Sequence, residues 1–238
     1  MPARARLVYP AYQWLWNSLD WLYPPQCGGC GQSGSRWCQA CQSTARRITP
    51  PLCPICGQPQ SSDRPCQKCR QSRPHYTALR SWAVFEGPVR NALHRLKYKR
   101  EIALGEVLSR HLLDVFHFFG WQVDLVVPVP LGVARQAERG YNQSALLAKP
   151  LALGYGLPYH PRVLRKTRDT PSQVGLSLEQ RWNNVAGSFE ALPGSVEGRS
   201  VLVIDDVSTS GATLNACAEA LAASGATQVY ALTLARAQ

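Results

Sequence analysis

Acidic residues are scarce in this 238-residue sequence, and they are scarcest at its N-terminal end. The chain has 15 Asp and Glu against 26 Lys and Arg, and residues 1–76 contain only two acids against nine basic residues. Such an excess would ordinarily indicate a nucleic acid or an anionic surface as the partner. The cysteines weaken that argument, because metal-bound thiolates would offset much of the positive charge.

The sequence also lacks a recognisable secretory signal and an uninterrupted apolar stretch that could span a bilayer. Residues 7–23 are rich in aromatic side chains, and their helical spacing predicts an amphipathic helix within residues 1–25. This helix could dock against the rest of the protein or lie on a membrane surface. Its expected apolar face consists of Tyr12, Leu15, Leu19 and Leu22.

Eight of the nine cysteines form four C-x-x-C pairs within residues 26–74. The first and third pairs continue with glycine, as zinc knuckles do, and this favours two closed structural zinc sites. We expect sequential ligation, while disulfides, iron–sulfur ligation and a cross-braced pairing are the alternatives. One ion would be held by Cys27, Cys30, Cys38 and Cys41, and the other by Cys53, Cys56, Cys66 and Cys69.

The stretch 201–213 combines a buried strand, paired acids and a loop of small residues. Val201 to Ile204 is an unbroken apolar run, typical of a parallel strand that is buried on both faces. Asp205 and Asp206 should follow its end and could accept hydrogen bonds from a sugar diol near a hard cation. The loop leads into a helix predicted from Leu214, whose N-terminus would suit a phosphate. No lysine follows Gly211, so this is not a Walker nucleotide loop. Together these features suggest a ribose 5-phosphate site.

Two further segments carry basic residues toward a possible anion. A strand at 124–130 is followed by a predicted loop, 131–141, and then by a helix ending at Gly154, with Asn142 as a candidate N-cap. In residues 162–189, Ser177 and Gln180 form a capping box before a short helix. This second segment could close over a polyphosphate. The basic side chains of the predicted helix 89–100 either face solvent or contact a phosphate or partner.

The sequence of residues 201–213 resembles the signature of type I phosphoribosyltransferases, which bind 5-phosphoribosyl 1-pyrophosphate (PRPP). That resemblance implies Asp205 and Asp206 as the catalytic, diol-binding pair. PRPP would also contact Val207, Ser208, Thr209, Ser210, Gly211, Ala212 and Thr213. The candidates for its pyrophosphate are Arg135, Arg139, Gly140, Asn142, Gln143, Arg165, Lys166, Arg168 and Arg181.

The four C-x-x-C pairs, followed by Val-Pro-Val-Pro-Leu, Arg-Gly-Tyr-Asn-Gln and Arg-Asp-Thr-Pro-Ser-Gln, are together similar to the bacterial competence protein F (ComF) family. The resemblance implies an α/β fold with a parallel sheet, of the type I phosphoribosyltransferase kind, over residues 77–238. It also implies a double zinc ribbon over residues 26–74 and a place in the cytoplasm.

Two functions follow from this resemblance. One is an enzyme that uses Mg²⁺ and PRPP and acts on an acceptor that no motif identifies. The other is a non-catalytic protein that senses PRPP or a nucleotide, or binds single-stranded DNA during DNA uptake, alongside a competence helicase. Bases of such a strand could stack on Trp14, Trp16, Trp37 and Trp82.

Overall fold

The computed structural model describes residues 9–14, 24–169 and 177–237. The cysteine module contains two short helices, α1 (Gln39–Thr44) and α2 (Gln67–Gln71). The remaining elements, in chain order, are β1 (Ala78–Val84), α3 (Gly87–Tyr98), α4 (Leu104–Phe119), β2 (Leu125–Pro128), α5 (Val133–Arg139), α6 (Gln143–Tyr155), β3 (Leu164–Lys166), α7 (Leu178–Val185), β4 (Phe189–Ala191), β5 (Ser200–Ser208), α8 (Ala212–Ala223) and β6 (Gln228–Arg236). Within the described ranges, no helix is both long and apolar enough to cross a bilayer.

Four strands form a parallel sheet in the order β1-β6-β5-β2, which confirms the predicted α/β class. Alternate side chains of β5 enter two different cores. Val201 and Val203 pack on the side of α8, whereas Leu202 and Ile204 pack on the side of α3, α4 and α6. Because both faces of this strand are buried, its sequence is uniformly apolar rather than alternating.

Strand β5 is longer than the sequence predicts. It continues past both aspartates to Ser208, because β6 continues to pair with it there, Asp205 opposite Thr233 and Ser208 opposite Arg236. Helix α8 begins at Ala212 rather than at Leu214. The loop between strand and helix is therefore only three residues long, and the carboxylates are fixed by the sheet.

Other boundaries differ where tertiary contacts decide the local structure. The predicted loop 131–141 contains helix α5, and the helix expected to end at Gly154 continues to Tyr155, with Gly156 as its left-handed cap. The short strands β3 and β4, which pair antiparallel, were not predicted from the sequence. The predicted N-cap Asn142 and the capping box of Ser177 and Gln180 are both confirmed.

Residues 9–14 are helical and contact the body of the protein. Gln13 Nε2 donates to Glu106 Oε1 at 3.3 Å, and Lys149 Nζ lies 5.9 Å from the ring centre of Tyr12. These contacts favour docking over a membrane-surface position for this short stretch. The other expected apolar residues, Leu15, Leu19 and Leu22, lie outside the described residues.

Candidate functional site

The eight paired cysteines form two clusters, and the pairing within each is sequential, as expected. The first contains Cys27, Cys30, Cys38 and Cys41, the second contains Cys53, Cys56, Cys66 and Cys69, and within each cluster the sulfur atoms lie within 4.8 Å of one another. None of the eight is joined in a disulfide in this structure.

The sulfur–sulfur distances match a tetrahedral metal site. Cys27 Sγ lies 3.6 Å from Cys41 Sγ, and Cys30 Sγ lies 3.7 Å from Cys38 Sγ. In the second cluster Cys56 Sγ and Cys66 Sγ are 3.7 Å apart. A tetrahedron with Zn–S bonds of about 2.3 Å has edges of about 3.8 Å. The donor set and its geometry therefore fit two closed structural zinc sites.

Backbone N–H groups prepare two of these sulfurs as thiolates. The N–H of Cys38 donates to Cys27 Sγ at 3.3 Å, and that of Cys66 donates to Cys53 Sγ at 3.4 Å. Burial would raise the pKa of Cys27, but backbone N–H donors to its sulfur, that of Cys38 first among them, outweigh burial and lower the pKa to about 6. The pKa of Cys53 is lowered to about 7 in the same way. A thiolate is the form that binds metal.

A cleft of about 1050 Å³ opens at the carboxyl ends of β2 and β5, between α3, α5 and the start of α8. Its charged lining is mostly basic, although two of its acids are the buried carboxylates of β5. The basic side chains lining it are Arg90, Lys97, Arg135, Arg139, Lys166 and Arg181, and the acidic ones are Glu138, Asp205 and Asp206. Such a lining suits a polyanion that also presents hydroxyls or a cation.

Both aspartates are held by the first turn of α6. Ser144 Oγ donates to Asp205 Oδ1 at 2.8 Å, and Gln143 Nε2 donates to Asp206 Oδ1 at 3.1 Å. The second oxygen of Asp206, Oδ2, is paired with the ammonium of Lys97 from α3. The N-terminus of a helix favours nearby negative charge. The carboxylates are therefore preorganised before any ligand arrives.

The two carboxyl groups differ in protonation although they are adjacent in sequence. Burial and the charge of Asp206 raise the pKa of Asp205 to about 7. Burial alone would also raise the pKa of Asp206, but the Lys97 ammonium outweighs it and lowers the pKa. At neutral pH, Asp206 carries the negative charge, and Asp205 can gain or lose a proton as its surroundings change.

The loop between β5 and α8 presents a helix N-terminus to the cleft. Gly211 is its N-cap, with φ of +81°, and a Cβ at this position would lie 3.1 Å from the hydroxyl of Tyr76. Only glycine can adopt this left-handed backbone conformation and leave room for the tyrosine hydroxyl without strain. Ser208 Oγ is buried and, within the described ranges, has no hydrogen-bond partner. An unpartnered hydroxyl beside a helix N-terminus suits an oxygen-rich ligand such as a phosphate.

The structure brings most of the predicted ligand-binding residues together around this cleft. From the loop, they are Val207, Ser208, Thr209, Gly211, Ala212 and Thr213, and from other elements, Arg135, Arg139, Gln143, Lys166 and Arg181. Gln143 contacts an aspartate there, and the Nε of Arg181 is buried without a partner in the described part of the chain.

The remaining predicted residues do not line the cleft, because they cap helices or bond to groups elsewhere in the protein. Asn142 caps α6, and Gly140 ends α5 in the left-handed conformation. Ser210 Oγ accepts from the N–H of Ala212 at 3.3 Å. Arg165 pairs with Glu190, while Arg168 donates to Asn184 O, Ala186 O and Ser188 Oγ.

Lys97 is a cleft residue that the sequence did not single out, because the basic side chains of its helix were predicted either to face solvent or to contact a phosphate or partner. It lines the cleft with Arg90 and His94, which lie seven and three residues before it on the same helix. Residues at such spacings share one helical face. This basic stripe was the available signal, but nothing in the sequence shows that β5 lies opposite it.

Two of the tryptophans proposed for base stacking, Trp82 and Trp37, pack against each other and against His111. Trp82 is 1% exposed, and it stacks against the buried ring of His111 with the ring centres 3.9 Å apart. Trp37 packs edge-on against both rings. Trp14 is exposed, and Trp16 lies outside the described residues. The expectation that Trp82 could stack on nucleic-acid bases is therefore wrong, because this side chain is buried in the core, while Trp37 is half-buried against the same core.

Comparison with known proteins adds two domain families and several relatives. Residues 18–70 match the double zinc ribbon domain, and residues 105–238 match the phosphoribosyl transferase domain. The chain is 36% identical to the DNA utilization protein YhgH of Escherichia coli over 205 residues, which cover 84% of this chain and 89% of that protein.

Two further relatives carry names that refer to competence. The competence protein ComFC of Bacillus subtilis is 28% identical over 242 residues, covering 93% of this chain and 89% of that protein. Competence protein F of Haemophilus influenzae is 28% identical over 208 residues, covering 84% and 90%. The similarity spans both the cysteine module and the α/β domain.

Proposed function

This chain belongs to the family of phosphoribosyltransferase-domain proteins that carry an N-terminal double zinc ribbon, and on that premise we propose that it binds PRPP and transfers its phosphoribosyl group. The observation that carries the proposal is the buried Asp205–Asp206 pair beside the N-terminus of α8. A sugar diol and a phosphate on the same ribose would meet these two features together. The family and its relatives support a link to DNA utilisation or competence.

The proposed binding mode assigns each part of PRPP to a different part of the cleft. The ribose hydroxyls lie on the two carboxylates, and the 5-phosphate accepts hydrogen bonds from the loop 208–213. The pyrophosphate lies against basic residues that other elements contribute to the cleft, Arg135, Arg139 and Lys166. The basic lining offsets the ligand's charge and steers it into the cleft.

In the proposed reaction, the bond from the ribose anomeric carbon to pyrophosphate breaks and a bond to the acceptor forms. Pyrophosphate leaves with the electron pair of the broken bond. The carboxylates would stabilise the positive charge that develops on the sugar, and the arginines would stabilise the leaving group. Orientation by the rigid strand β5 would contribute as well.

A divalent ion bound with PRPP fits the donor set of this cleft. Carboxylate oxygens are the ligands that Mg²⁺ prefers, and Asp205 and Asp206 both face the cleft. When bound, Mg²⁺ neutralises charge on the pyrophosphate. The chain's own residues would hold the ribose and the phosphate.

Calorimetric titration of Mg²⁺ and PRPP tests the binding mode. Asp205→Asn and Asp206→Asn should each weaken binding by about 100-fold, because charge-assisted hydrogen bonds to the diol are lost. Asp114→Asn, an exposed aspartate on α4, is the matched control and should bind as the wild type does. Equal affinity in all four proteins would contradict the proposal.

Catalysis is tested separately from binding. Screening nucleobases and amines for PRPP-dependent release of pyrophosphate should find an acceptor that supports turnover, and Asp206→Asn should abolish it. A protein that binds PRPP but releases no pyrophosphate with any acceptor would instead be a sensor, since a fold does not fix an activity.

Binding of single-stranded DNA is the second candidate, favoured by exposed basic residues on and just after α3, namely Arg90, Lys99 and Arg100. A gel shift with single strands that weakens steeply with salt would support it.

The proposed compartment is the cytoplasm, where reducing conditions keep the cysteines available for metal. A competence helicase is the proposed partner, and co-purification of the two proteins tests it.

A further inference from the structure

The Lys97 side chain occupies the place in the cleft where a ligand would meet Asp206. It extends from the last turn of α3, and its ammonium pairs with Asp206 Oδ2. The side chain of Lys97 is 22% exposed and that of Asp206 is 5% exposed. The pair therefore lies at the floor of the cleft, but the lysine retains a path to solvent.

Both oxygens of Asp206 are engaged in this arrangement. Oδ1 accepts from Gln143, and Oδ2 faces Lys97. A metal ion or a sugar hydroxyl that binds Oδ2 must displace the ammonium. Gln143 is held at the start of α6, whereas Lys97 reaches the carboxylate through a flexible four-carbon chain. Lys97 is the partner that can move.

Electrostatics keep the lysine charged in this position. Burial alone would lower the pKa of Lys97, but the Asp206 carboxylate outweighs it and raises the pKa. A charged lysine and a cation that binds the same carboxylate exclude each other. Once displaced, the ammonium would remain in a cleft where an anionic ligand needs a counter-charge.

We propose that Lys97 is an exchangeable counter-ion. It neutralises Asp206 in the free protein, gives way when a divalent cation or a ribose hydroxyl reaches that carboxylate, and then pairs with the phosphate groups of the ligand. Lys97 thus competes with a cation that arrives alone and favours a cation that arrives with its polyphosphate. The identity of this ligand rests on the proposed function, whereas the competition with a cation does not.

Titration with Mn²⁺ alone, followed by the electron paramagnetic resonance signal of the free ion, tests the competition. Lys97→Met should bind Mn²⁺ about tenfold more tightly than the wild type, because Asp206 is then free of its counter-ion. Lys149→Met, an exposed lysine on α6 outside the cleft, should match the wild type. A purely structural ion pair would change the unfolding temperature without improving Mn²⁺ binding.

Equal or weaker Mn²⁺ binding by Lys97→Met would overturn the proposal. If that variant fails to fold, Lys97→Gln removes the charge but keeps a polar contact, and the same criterion applies. Binding of Mg²⁺ and PRPP should fall about tenfold in either variant. An unchanged affinity would show that the Lys97 ammonium does not pair with the phosphate groups of the ligand. If the wild type binds no PRPP, the proposed function fails, while the Mn²⁺ comparison still decides the role of the lysine.

Discussion

The two four-cysteine clusters are built alike but are attached to the α/β domain in different ways. The first contacts α3 through side chains, with Asn91 Nδ2 donating to Gly29 O at 2.9 Å and Arg95 Nη1 to Cys27 O at 3.4 Å. The second contacts the sheet itself. The N–H of Leu79, in β1, donates to Ile55 O at 2.7 Å, and the buried Arg236 of β6 donates to Cys56 O at 2.6 Å.

The second cluster is connected to the candidate site through strand β6. Arg236 lies opposite Ser208 in the pairing of β5 and β6, and the next residue, Ala237, donates its N–H to Ser208 O at 2.9 Å. Three cysteines of the second cluster belong to the same core as the start of α8. We infer that metal in the second cluster supports the geometry of the cleft, whereas metal in the first stabilises a more peripheral contact.

The largest expected effect comes from removing one ligand of each cluster. Cys30→Ser and Cys66→Ser should each lose one of the two zinc ions, as measured by elemental analysis, because the site keeps only three thiolate ligands. The effect on stability is large, since a structural zinc contributes on the order of 10 kcal/mol to folding. Only Cys66→Ser should also lose PRPP binding. Equal effects of the two variants on PRPP affinity would remove the distinction between the clusters.

A smaller effect is expected from the side chains that attach the clusters. Arg236→Met should lower the free energy of unfolding by about 1–3 kcal/mol, since it removes the donor to the Cys56 carbonyl. Arg95→Met should cost less than about 1 kcal/mol, because its ion pair with Glu101 is partly exposed. Urea unfolding of both variants at equal zinc content measures the difference.

The cleft provides a further contrast, because its charges titrate. Folding raises the pKa of Asp205 to about 7, from about 3.9 in an unfolded chain. The folded state therefore holds a proton that the unfolded state has lost, and this contribution to stability disappears as the pH rises through 7. Between pH 5.5 and 7.5, the wild type should lose about 1–2 kcal/mol relative to Asp205→Asn. Parallel pH profiles of the two proteins would contradict the raised pKa.

The smallest expected effect concerns two arginines, both of which were predicted from the sequence to bind pyrophosphate. Arg135 lines the cleft, whereas Arg168 donates to carbonyl groups near the end of α7. Arg135→Ala should weaken PRPP binding about tenfold with little change in stability. Arg168→Ala should leave the affinity unchanged and lower the unfolding temperature slightly. The reverse result would move the pyrophosphate site toward Arg168.

The parts of the structure that short-range patterns determine could be predicted from the sequence. Cysteine spacing predicted both clusters, and an apolar run followed by two acids and Gly211 predicted the loop beside α8. The three-residue strands β3 and β4 could not be predicted, because their pairing depends on contacts distant in the sequence. The same holds for Lys97, whose partner Asp206 lies far along the chain on a different element. Its local pattern fits a solvated helix face as well as a face that contacts a phosphate or a partner.

A crystal structure of the protein with Mg²⁺ and PRPP would decide whether the cleft binds PRPP as proposed. We expect ribose hydroxyls on Asp205 and Asp206, the 5-phosphate on the N–H groups of the loop before α8, and Lys97 turned toward the pyrophosphate. An empty cleft at saturating ligand, or PRPP bound at the separate groove beside Arg162 and Arg165, would contradict it.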